Sequence, residues 1–77
     1  IRYKLIEYRG NRSQDEMGNM YGVSQQSWSN WERGVKNPSP LIMKRMEMDS
    51  GIPMEELFFD IFNNYRLLNN QHNQKAV

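Results

Sequence analysis

The stretch Ser24-Gln25-Gln26-Ser27-Trp28-Ser29-Asn30-Trp31-Glu32-Arg33, closed by Gly34, decides how this chain is read. It has the ends of one short helix. The Ser24 hydroxyl can accept a free backbone N–H of the first turn. Gly34 can close the last turn in the left-handed conformation that glycine adopts at little cost. Trp28 and Trp31, three apart, lean to one side. Gln25, Gln26, Ser29 and Asn30 occupy much of the rest. These side chains are neutral, and each donates and accepts hydrogen bonds, as the edges of bases require.

Towards the N-terminus, Gly22-Val23-Ser24 separates this helix from an earlier one over residues 13–21. Ser13 with Glu16 forms a capping box, and Asp15 and Glu16 suit the positive end of the helix dipole. Met17, Met20 and Tyr21 give its apolar side, and Gly18 permits another helix to come close. Two helices joined by so short a glycine-containing turn make a helix-turn-helix. Before it, Ile1, Leu5 and Tyr8 fall at helical spacing in residues 1–9, and Gly10-Asn11-Arg12 ends that helix.

Towards the C-terminus, Asn37-Pro38 enforces a loop over residues 35–39. Ser39 and Pro40 then open a fourth helix, with Leu41, Ile42, Met43, Met46 and Met48 along it. Gly51 stops it. Pro53 starts a fifth, in which Met54, Leu57, Phe58, Ile61 and Phe62 share helical spacing. Residues 1–62 are thus expected to form one all-α, five-helix domain. Residues 63–77 read as an extension in which the helix ends and a polar tail frays.

Seventy-seven residues allow one modest core. With no cysteine there is no disulfide or thiolate site, and a cytoplasmic setting is compatible. The only histidine, His72, lies in the polar tail, so neither a catalytic triad nor a metal site is expected, nor any cofactor. No apolar run is long enough to span a bilayer. Charge is unevenly distributed: residues 1–45 carry eight basic side chains against four acidic ones, whereas residues 46–65 carry five acidic and no basic ones. A basic face and an acidic face on one small body follow.

Taken in order, Ser13-Gln14, Met17, Gly22-Val23-Ser24, Ser29, Trp31-Glu32-Arg33-Gly34 and Asn37-Pro38-Ser39 resemble the Cro/repressor (lambda-repressor-like, XRE) helix-turn-helix family. The resemblance continues through Gly51-Ile52 and Glu55-Glu56-Leu57-Phe58. It implies a compact lambda-repressor-like domain with residues 24–33 as the recognition helix, usually dimeric on a pseudo-palindromic double-stranded DNA operator. Three positions depart from the family pattern. Gly18 replaces a usual alanine, small for small. Trp28 stands where a β-branched aliphatic normally packs. Glu7 stands where many members carry an arginine paired to the residue matching Glu32, which leaves Arg9 or Arg12 as substitutes.

Within that frame, Gln25, Gln26, Asn30 and Ser29 are the expected base contacts, and a glutamine amide can meet adenine at N6 and N7. Ser13, Gln14, Ser24, Arg33, Lys36 and Asn37 are the expected phosphate contacts. Arg2, Lys4 and Arg12 can follow the backbone if the N-terminal segment faces DNA. Trp28 is read as core and Trp31 as an anchor of the recognition helix. Tyr3, Tyr8 and Tyr21 are read as core or half-core, and the methionines as packing. The apolar residues between 54 and 68 exceed what one short helix buries, which suits a homodimer. The expected function is a sequence-specific transcriptional regulator, a repressor and not an enzyme. A protein-interaction adaptor or antitoxin-like module on the same fold is the alternative.

Overall fold

The computed structural model describes residues 1–63; the polar tail and Leu67 and Leu68 lie outside that range. Its helices are α1 (Tyr3–Arg9), α2 (Gln14–Met20), α3 (Gln25–Arg33), α4 (Pro40–Ser50) and α5 (Met54–Leu57). A sixth helical stretch, 59–63, follows α5. Among the described residues there is no strand. The expected all-α fold is what forms, with one difference at its end. Phe58 leaves helical geometry (φ −124°, ψ 46°) and is fully buried, so the expected fifth helix splits there into two short pieces.

Local chemistry sets the boundaries. Ser13, Ser24 and Ser39 each accept a backbone N–H three residues on, from Glu16, Ser27 and Ile42. Such caps are each worth about 1 kcal/mol. Gly34 ends α3 at φ 75°, where any other residue is strained.

Trp28 is the centre of the core. It is fully buried, stacks on Tyr21 (centroids 5.8 Å apart, 19° between planes) and meets Trp31 edge-on at the same distance. Leu5, Met17, Met46, Leu57 and Phe58 close around them. Both tryptophans therefore face inward, as the sequence indicates. The large indole at 28 is accommodated by stacking on the flat Tyr21 ring.

Three readings of periodicity are corrected. The first helix starts at Tyr3, and its inward face runs through Arg2, Leu5 and Tyr8 instead of Ile1, Leu5 and Tyr8. Arg2 is buried and its carbonyl accepts the N–H groups of Leu5 and Ile6, which turns Ile1 and Tyr3 (72% exposed) outward. On α4 only Met43 and Met46 are buried, with Ile42 half-buried; Leu41 (80% exposed) and Met48, seven residues apart, share the outer side. A helix buries a stripe roughly 100° wide, which cannot hold five apolar residues spread over eight positions. Met20 is the third, lying at the surface.

Gly18 is more constrained than its small size suggests. A Cβ there would sit 2.7 Å from the Val23 carbonyl oxygen and 3.0 Å from that of Ser24. The reading of glycine for alanine as small for small is therefore corrected. The turn entering α3 lies against α2 so closely that alanine requires the backbone to move.

Candidate nucleic-acid interface

The outward side of α3 is assembled on a buried carboxylate. Glu32 is 3% exposed. It accepts N–H groups from Arg9 Nε (2.6 Å) and Nη2 (3.3 Å), Trp28 Nε1 (2.6 Å) and Gln14 Nε2 (3.0 Å). These match the roughly four lone-pair sites of an ionised carboxylate. Burial pushes the Glu32 carboxyl up, but the hydrogen bonds from Arg9, Gln14 and Trp28, with the Arg9 charge, outweigh it and hold the group below the usual range. Glu7, by contrast, makes only a surface pair with Lys4. Arg9 is thus the substitute partner of Glu32, while Arg12 donates to the Tyr8 and Arg9 carbonyls.

From Glu32 the order of hydrogen bonds continues outward. An ionised carboxylate only accepts, so Gln14 must turn its amide nitrogen inward and its Oε1 outward. That Oε1 accepts from Gln25 Nε2 at 2.9 Å. Gln25 and Gln26 are both exposed. Gln26 Nε2 donates to Asn30 Oδ1 (3.1 Å), which also accepts from Arg33 Nη2 (2.6 Å). Gln25, Gln26, Asn30 and Arg33 are therefore brought onto one surface. Ser29, half-buried, lies beside Asn30 in the chain.

The residues read as phosphate contacts are distributed differently. Ser13 is exposed and caps α2. Ser24 caps α3 and donates its hydroxyl proton to Ser27 Oγ at 3.1 Å. Lys36 and Asn37 are exposed on the loop after α3. Arg2 does not track a surface: it is 1% exposed. Its guanidinium donates to Asp60 Oδ1 (2.9 Å) and Oδ2 (3.0 Å), to the carbonyls of Trp31 and Lys36 (3.0 Å each) and to Asn37 Oδ1. Periodicity offers no sign of this, because a buried arginine and a surface arginine look alike in sequence.

A helix-turn-helix family model matches residues 2–57. That range covers α1 to α5, the turn and the whole surface just described. The chain belongs to the Cro/C1-type helix-turn-helix family. No curated protein and no solved structure matches it. As a member, this helix-turn-helix domain is a DNA-binding regulatory domain in general terms, with α2 and α3 as its two signature helices. Among the described residues, no helix is long and apolar enough to cross a membrane.

Proposed function

We propose that this helix-turn-helix domain is a sequence-specific transcriptional regulator, of repressor type, acting in the cytoplasm as a homodimer on a pseudo-palindromic operator. Helix α3 enters the major groove, which at about 12 Å wide admits a helix about 10–12 Å across. The observation that carries this reading is the fixed polarity of Gln25. One of its two amide hydrogens is engaged by Gln14, which leaves one N–H and the carbonyl. Adenine presents one acceptor and one donor in the major groove, N7 and N6–H; guanine presents two acceptors. Gln25 in this state is complementary to adenine and mismatched to guanine. Gln26, Asn30 and Ser29 complete the base-reading surface. Ser13, Arg33, Lys36 and Asn37 hold the phosphates on either side. Gln14 and Ser24 join them through their backbone N–H groups, since the Gln14 amide nitrogen and the Ser24 hydroxyl proton are engaged by Glu32 and Ser27.

Two copies placed on half-sites about 34 Å apart would read one face of the duplex. The twofold contact is drawn from the exposed Phe59 and Tyr3, which with Lys4 and Glu56 border an open cavity of about 310 Å³. A second reading, an adaptor or antitoxin-like module, is favoured by one observation. Leu41 and Met48 lie exposed on α4, beside Ile42, Arg45 and Asp49, around a cavity of about 460 Å³.

A fluorescence titration against a selected duplex across salt separates the two. DNA-backbone binding predicts that affinity falls steeply, by roughly 10³-fold for about six phosphate contacts, between about 50 and 200 mM salt. An affinity that barely changes over that range supports the adaptor reading instead.

A further inference from the structure

We propose that Arg2 is a positioning residue for DNA-backbone contact, setting the loop after α3 and turning the Asn37 amide so that it donates to phosphate. This rests on the DNA-binding reading above and adds a residue that never touches DNA. A guanidinium has five N–H donors in a fixed fork. All five are engaged: two on the Asp60 carboxylate, one each on the Trp31 and Lys36 carbonyls, and one on Asn37 Oδ1. The Arg2 backbone N–H donates as well, to the Glu32 carbonyl at 2.7 Å. Trp31 and Glu32 belong to the last turn of α3, whose carbonyls lack partners within the helix. The side chain also lies over the Phe58 ring, 5.2 Å from its centroid.

Arg2 therefore joins three pieces of chain: the end of α3, the loop carrying Lys36 and Asn37, and the stretch 59–63 through Asp60. The consequence for Asn37 is chemical. Its Oδ1 faces the guanidinium, so its two amide N–H groups face away from it, on an exposed residue. A phosphate oxygen only accepts, and an asparagine free to rotate would present its carbonyl about as often as its N–H groups. Asp60 anchors the guanidinium from the other side, so the orientation is transmitted from residues far along the chain.

The test is a double-mutant cycle on the whole chain. Arg2→Lys, Asn37→Ala and the double variant are titrated where circular dichroism shows each to be folded. The two probes are a duplex recovered by selection and a random-sequence duplex. Lysine keeps the charge but not the fork. Each single variant is expected to lose about tenfold in affinity. The salt slope should stay at its wild-type value, because Asn37 is neutral and lysine keeps the charge at position 2. Both probes should respond alike, because a phosphate contact carries no sequence information. The double variant should lose no more than the worse single one. Wild-type affinity in Arg2→Lys, or losses that multiply in the double variant, would leave Arg2 with a purely structural role and overturn the proposal. Should Arg2→Lys not fold, Asp60→Asn takes its place with the same two readings. A wild-type chain that binds neither duplex refutes the DNA-binding reading, and this proposal with it, which is distinct from binding with multiplying losses.

Discussion

Glu32 shows how one buried residue can order the surface above it. Its carboxylate fills the space between α1, α2 and α3 and fixes which end of the Gln14 amide faces outward. Replacing it by glutamine sets an amide NH₂ against a cluster of N–H donors. Breaking a buried pair in this way costs about 3–5 kcal/mol, so Glu32→Gln should show a large fall in thermal midpoint. The linkage has a definite sign. Glu32 and Asp60 both have folded-state values held below their usual range, Asp60 chiefly by the Arg2 hydrogen bond. Their contribution is complete above the ordinary carboxylate range and is lost as pH falls through the lowered values. Thermal melts from pH 7 down to about 3 should show wild-type stability falling on the acid side, and a shallower fall in Glu32→Gln. Part of this was legible in sequence: Trp28 inward, and Arg9 or Arg12 as the partner of Glu32, a choice that only the structure makes. Arg2 was not, because its partner Asp60 is 58 residues away and hydrophobic spacing says nothing about where an arginine fork points.

At the scale of elements, the close fit between α2 and the turn into α3 sets where α3 lies. Gly18 is the contact point, with the Val23 carbonyl in the space a Cβ would need. Alanine gains about 1 kcal/mol of helix propensity over glycine, but overpacking against backbone costs about 1–3 kcal/mol. The second effect wins here, because a backbone carbonyl held by the Val23 turn cannot swing aside as a side chain would. Gly18→Ala should therefore lower the thermal midpoint by about 4–8 °C, a net loss of about 1 kcal/mol; an unchanged or raised midpoint would show that the turn has room to move. The serine caps and the glycine stops made most helix ends readable in the sequence. The outward turn of Leu41 and Met48 and the break at Phe58 were not, since apolar spacing alone does not say which of two possible stripes the rest of the fold will cover.

On the scale of the whole molecule, one surface of small polar amides lies on a frame that fixes their donors and acceptors. The frame runs from Glu32 through Gln14 to Gln25 on one side, and from Asp60 through Arg2 to Asn37 on the other. The sequence's basic first part and acidic later part are joined at Arg2 and Asp60, so the charge asymmetry is also a structural connection. The order of motifs along the chain made the helix-turn-helix legible, whereas the hydrogen-bond polarity of its outward amides needed three dimensions. In vitro selection from random duplexes, run in parallel with wild type and Gln25→Ala, tests that claim most directly. The expected product is a two-half-site motif, its halves about 34 Å apart, with an adenine position in each half that relaxes in Gln25→Ala while the other positions persist. Recovery of no motif, or of the same motif with both proteins, would contradict it.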